Sequence, residues 1–275
     1  MTTSPTPDQL RAAVAMHRIR ETYESLDRWR ERSKTVEEPQ PGSELHGDAA
    51  IWPGYPAHQV ARVSLIAGVQ HLNLARVAIE QREGFPIAHP TVIRGALLGA
   101  SRGVWLLSPD DRHERQQNAL RTIYEVHRRM RQYMDSGATG LEPDAVAQAL
   151  SELDSRLDAI KALWTATPTL TAKEKPEEGK IVRLAALAVF ADPKQQIALP
   201  ALWMQLSGDA HGLSWPMLTR SSTSVQSVGR LPGYPAPMAT FSSGADLFEI
   251  AEGFSAAFTL LRRGWSLFDQ RCTAP

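Results

Sequence analysis

TVIRGALLGASRGVWLL, residues 91–107, is apolar around nearly its whole circumference when wound as a helix. Such a helix belongs at the centre of a bundle, because a surface helix keeps one polar face. Gly95, Gly99 and Gly103 recur every four residues and line one side. Each costs roughly 1 kcal/mol of helix propensity relative to Ala, so a gain in packing or function has to offset three of them. Removing side-chain bulk there lets a neighbouring helix approach the backbone closely. Arg94 and Arg102 alone interrupt the run with charge. Eight residues apart, they lie about 80° from one another around the axis and can project to the same side. A buried guanidinium needs a partner or an open cavity. Asp209, Asp246, Glu249 and Glu252 are the partners the sequence offers. A phosphate is the functional alternative, since the planar guanidinium fork matches its oxygens.

Working outward, apolar spacing near 3.6 predicts helices over 7–34, 57–82, 90–107, 110–135, 143–165, 180–191, 194–210 and 245–270. The last carries the clearest stripe, from Leu247 and Ile250 through Phe254 and Leu261 to Trp265 and Phe268. No alternating strand and no βαβ rhythm stands out. The expectation is an all-α multi-helix bundle with a buried central Gly-rich helix and long irregular connectors. Residues 1–35 read as an N-terminal helix, 36–56 as a Pro/Gly-rich linker and 57–275 as the main helical-bundle domain. Residues 168–180 read as a charged linker. PGYPA occurs at Pro53–Ala57 and again at Pro232–Ala236, and turn chemistry accounts for both copies. The second falls in an irregular stretch, 216–243, rich in Ser, Pro and Gly. Connections of that length act as lids or binding loops when they are ordered.

The chain has 275 residues, 43% apolar and 22% charged, enough for one large core or two modest ones. Thirty basic residues balance thirty acidic ones, which argues against a nucleic-acid binder that works by bulk charge and leaves only a local patch for phosphates. Cys272 is the single cysteine, so no intramolecular disulfide forms, in keeping with a reducing cytosol. The polar start MTTSPTPDQL lacks the order of a secretory signal, and no uncharged apolar run of membrane-spanning length occurs. A cytoplasmic protein without a membrane partner is expected.

Motif by motif, most chemistries drop out. Asp110, Asp111 and Glu114 imitate an acidic metal motif, but they follow Ser108-Pro109 at a helix start, where carboxylates cap free N–H groups. Neither Glu-x-x-His nor His-Glu-x-x-His occurs, and the glycine-rich nucleotide loops and Gly-x-Ser-x-Gly are missing too. No metal and no cofactor is implied. His127 shares an apolar stripe with Leu120 and Tyr124 and reads as a core histidine. Arg121, Arg128, Arg129 and Arg131 cluster on one predicted helix, either as a solvated face or as an RNA contact. LSGDAHGLSW, residues 206–215, places Ser207, Asp209 and His211 on about one helical turn. A catalytic triad needs converging side chains, and three residues on one turn splay apart. Gly212 fits a helix stop instead.

Two stretches, RGALLGASRGVWLLSP (94–109) and LWMQLSGDAHG (202–212), resemble a pattern found in a group of actinobacterial helical proteins. That group is similar in turn to HEPN-like helical bundles. The resemblance spans residues 57–270 loosely, and its specific part is confined to the two stretches. It implies a helical protein that binds RNA or a nucleotide, in some members a metal-independent ribonuclease of toxin or defence systems, in others a non-catalytic protein. Catalytic members pair Arg and His on one helix at a separation of four to six intervening residues. His211 has Met204, Gln205 and Leu206 at those positions, so here the arginine would have to come from another helix, as Arg94 or Arg102. The resemblance thus nominates His211, Arg102 and Arg94 for catalysis and Ser207 and Asp209 for binding, and the basic cluster adds Arg128 and Arg129 as binding candidates. An acidic residue commonly stands three before the second arginine in that group, and Gly99 stands there in this chain. Two further readings stay open: a non-catalytic scaffold, and a small-molecule enzyme with 216–243 as its lid. A homodimer through the apolar face of the last helix is a further option.

Overall fold

The structure, a computed structural model, describes residues 6–137, 140–166, 177–230, 232–233 and 235–275. It is a helical bundle. In chain order come α1 (Pro7–Arg20), α2 (Tyr23–Arg32), α3 (Glu44–Asp48), a 3-10 turn (Ala49–Ile51), α4 (Ala57–Glu80), α5 (Ala88–Leu107), α6 (Arg112–Asp135) and α7 (Pro143–Ala166). Then follow α8 (Glu178–Val189), α9 (Pro193–Ala210), the short α10 (Trp215–Leu218), strands β1 (Thr223–Gly229) and β2 (Met238–Ser243), and α11 (Leu247–Cys272). The expected linker 168–180 lies largely outside the described residues, and its described end already belongs to α8.

The glycine-bearing helix is indeed central. α5 packs against α4, α11, α8 and α9, and Ala96, Leu97, Ala100 and Val104 are wholly buried. Its glycine side lies against α4. A Cβ placed on Gly99 would sit 2.7 Å from the Ser64 carbonyl oxygen and 2.8 Å from the Gly68 nitrogen. Gly68 returns the approach, since a Cβ placed on it would sit 3.1 Å from the Ala96 carbonyl oxygen. Backbone thus meets backbone. At Gly103 the occupant is the Leu65 side chain, which also fills the space beside Gly264 of α11. The long apolar stripe of α11 is consumed inside the same core: Phe254, Leu261 and Phe268 are 0% exposed and Trp265 1%. That face is therefore not available to a second copy of the chain.

Caps follow the sequence. Asp111 accepts from the amides of His113 and Glu114, so the acidic motif at 110–114 starts α6. Asp192 and Asp246 cap α9 and α11 in the same way. Gly212, at φ +67°, ends α9, with Leu213 N donating to Gly208 O and Gly212 N to Asp209 O.

Three expectations need correction. Residues 7–34 are not one helix: the chain turns at Thr22, whose hydroxyl donates to Ile19 O at 2.6 Å, so that α1 lies on α11 while α2 lies on α4. Ile19, Leu26 and Trp29 enter the common core. The segment 36–56 is more than a linker. It buries Leu45 and carries Asp48 of α3, 0% exposed, to Arg115 of α6, whose Nε donates to Oδ2 at 2.7 Å. Nearby Arg271 of α11 donates to Leu107 O at 2.6 Å and to Asp110 Oδ1 at 2.9 Å, and pairs with Glu44. Lastly, 216–243 holds an antiparallel hairpin, with Thr223 opposite Ser243 and Val225 opposite Phe241 and a bulge between Val225 and Ser227. Both faces of the hairpin are largely exposed, so burial imposed no alternation on its sequence.

Two outcomes are expected. Gly99→Ala should destabilise the protein by about 3 kcal/mol in urea unfolding, the overpacking cost outweighing its better helix propensity. Gly54→Ala, with nothing within 4 Å of the added carbon, should shift stability by less than about 0.5 kcal/mol. The second concerns pH. Glu80 accepts from Arg20 at 2.9 Å and from the Tyr23 hydroxyl at 2.8 Å, and these bonds hold its carboxyl down at about 2. A depressed carboxyl stabilises the fold above its unfolded value of about 4.3 and loses that contribution as pH falls towards the folded value. Glu80→Gln should therefore unfold more readily than wild type at pH 7, by about 0.5–1 kcal/mol for such a partly exposed pair. The gap should close by pH 2 when urea midpoints are compared.

Candidate functional site

α5 presents its two arginines one helical step round from the glycine stripe, towards α8 and α9. Arg94 Nε donates to Ser207 Oγ at 2.8 Å, and its Nη2 donates to Glu178 Oε2 at 2.7 Å. The guanidinium also lies 5.6 Å from the centre of the Trp203 ring. None of the four carboxylates expected as partners holds it. Glu178 does, from the start of α8, just where the expected linker ends. Two nominated residues, Arg94 and Ser207, thus meet directly, and Arg94 is occupied.

Arg102 stands two turns further along α5 in a different setting. It is half-buried and makes no hydrogen bond or ion pair with the described residues. It opens onto a cleft of about 720 Å³ between α5, α6, α8 and α9. Glu125 and Arg129 of α6, Glu178 of α8 and Trp203 of α9 also line that cleft. The first turn of α8 faces it as well, and Glu177 at the N-cap gives that turn no side-chain hydrogen bond. A helix start of this kind presents amide donors and the positive end of the helix dipole.

The electrostatics of the cleft turn on Glu125. It accepts from Arg128 at 2.7 Å and from Arg129 at 2.9 Å. The Arg128 bond first, and then Arg129, hold its carboxyl at about 2 against the opposing effect of burial. Arg131, by contrast, reaches α7 and pairs with Asp154 at 2.6 Å. The basic cluster on α6 is therefore partly neutralised within the fold. The lining itself sets two guanidiniums, Arg102 and Arg129, against three carboxylates, Glu125, Glu177 and Glu178, and two of those carboxylates are also paired from outside the cleft, by Arg128 and Arg94.

His211 does not join this group. It is the C-cap of α9, exposed, and forms no hydrogen bond or ion pair with either arginine. It lies eight residues beyond Trp203, about 12 Å along the helix axis. The expected convergence of His211 with Arg94 and Arg102 is not what the fold builds. Asp209 points elsewhere too. It is 3% exposed and accepts from Arg220 at 2.5 Å, and burial keeps its carboxyl above the ordinary range despite that cation. His127 is buried beside Trp52, as a core histidine would be, with its ring below the usual imidazole value because of burial.

Sequence reasoning passed over Trp203, Glu125 and Glu178. Trp203 sat in view within LWMQLSGDAHG, but an aromatic among apolar residues carries no mark of a cleft. No group of three or more His, Cys, Asp or Glu among the described residues is placed to hold a metal ion. No described helix is long and apolar enough to cross a membrane. The chain matches no family model, no curated protein and no solved structure.

Proposed function

We propose that the protein binds a nucleotide, or the end of an RNA, in the cleft between α5, α6, α8 and α9, and holds its phosphate without cutting it. Arg102 carries this reading. A half-buried guanidinium without a partner among the described residues is costly unless something else meets its donors. Phosphate oxygens suit that planar fork. The first turn of α8 adds amide donors on the same cleft, and Arg129 adds a second cation at its rim. Trp203 offers a ring for a base to stack on. A patch of this size agrees with a chain of zero net charge, since it depends on placement and not on bulk attraction.

Cleavage by the Arg–His route that the resemblance implies would require an imidazole beside the phosphate to move a proton. His211 caps α9 about 12 Å of helix beyond Trp203, and His127 is enclosed in the core. Binding is the chemistry these positions favour.

Titration with nucleoside mono-, di- and triphosphates and with short RNAs tests this, followed by calorimetry and Trp fluorescence at low and high salt. Arg102→Ala is expected to weaken binding about tenfold or more, in line with loss of a charge-assisted hydrogen bond. Trp203→Leu should weaken it too, and His211→Ala should leave it unchanged. Failure of every nucleotide and RNA to bind, or wild-type affinity in Arg102→Ala, would overturn the proposal. RNA cleavage that vanishes in His211→Ala would replace it with a ribonuclease.

A further inference from the structure

A second cavity, of about 210 Å³, meets α9 along Leu202, Gln205, Leu206 and Asp209. The α5 N-terminus, the end of α9, the start of α11 and the root of the hairpin enclose it. Its lining combines Phe85 and neighbouring prolines with four carboxylates, Asp209, Asp246, Glu249 and Glu252. Arg220 is its one basic lining residue. Four carboxylates against one guanidinium leave three negative charges in excess.

Internal contacts do not use up that excess. Arg220 donates to Asp209 Oδ2 at 2.5 Å and spends its other arm on the Pro86 carbonyl at 2.7 Å. Asp209 Oδ1 is left buried with no hydrogen-bond partner among the described residues, in a residue only 3% exposed. Glu249 is held by neutral donors, the Ser221 amide and hydroxyl at 2.7 Å each and the Ser222 hydroxyl at 3.3 Å. Asp246 caps α11 through the Phe248 amide at 2.8 Å. Glu252 is exposed at the rim and makes no hydrogen bond or ion pair with the described residues. An orphaned carboxylate oxygen in a buried side chain is expensive, and a donor from outside the chain would relieve it.

We propose that this cavity is a binding site for a small organic amine, with the ammonium donating to Asp209 Oδ1 and the carbon chain lying against Phe85 and the prolines. The carboxylates are not gathered as a metal ion requires. An ammonium with a short apolar body fits the mixed lining better, and the volume is below the range typical of drug-sized ligands, about 300 Å³ and above. This site is separate from the nucleotide cleft and does not depend on it.

The test uses the full chain and three probes: 1,4-diaminobutane, n-butylamine and the neutral n-butanol. Calorimetry at low salt should show both amines binding and butanol failing to bind. Asp209→Asn should weaken amine binding at least tenfold. Because that substitution touches the Arg220 contact, Glu252→Gln serves as the second variant; it removes a rim charge that holds no partner among the described residues and should weaken binding roughly threefold while leaving the unfolding midpoint unchanged. Absence of amine binding to folded wild type at millimolar concentration would overturn the proposal. So would butanol binding as well as butylamine, or both variants retaining wild-type affinity.

Discussion

The backbones of α4 and α5 approach one another so closely at Gly68 and Gly99 that no side chain fits between them. Everything else is arranged around that contact. It fixes which side of α5 faces α4, and therefore which side is left for α8 and α9. Residues 94, 98 and 102 run beside the glycine row at the same four-residue step. The helix thus carries two parallel stripes, one without side chains and one that begins and ends in guanidinium. The first draws α4 in, and the second meets the pair of helices that follow the charged segment. Arg94 is spent on joining them, through Glu178 of α8 and Ser207 of α9. Arg102, with the same origin, is left facing a cleft.

This division explains what could be read in advance. The glycine row, the stripe of α11 and the caps at Asp111, Asp246 and Gly212 all rest on contacts within a few residues or on uniform burial, and these leave periodic traces. The arginine partners do not. Arg94 finds a carboxylate 84 positions away, and only the topology reveals which one. The turn at Thr22 was hidden because Ile19 and Leu26 stay on an apolar rhythm although α1 and α2 pack on different helices. The hairpin was hidden for the opposite reason: with both faces towards solvent, its strands had no inside to record. At the candidate site, Arg102 and Arg129, both named from the sequence, line the same cleft. Placing His211 beside them did not survive the geometry, because α9 carries it past Arg94 to an exposed end.

Charge within the molecule is distributed in the same economical way. A chain with no net charge builds one cleft in which arginines and glutamates are interleaved and one strongly negative cavity, both touching α9. Paired arginines on α6 share a single carboxylate, whereas the carboxylates at the start of α11 are satisfied by hydroxyls and amides, which leave their charge in place. Local pairing, and not composition, creates the contrast.

Leu65 has a consequence of another kind. Its side chain occupies the space that side chains at Gly103 and Gly264 would otherwise take, so three helices meet on one leucine. A smaller residue at 65 would leave a void shared by all three, and any larger residue at 103 or 264 would have nowhere to go. The three positions are one steric unit distributed over distant parts of the chain. Substitutions at these three positions are therefore coupled, and the effect of one depends on which residues occupy the other two.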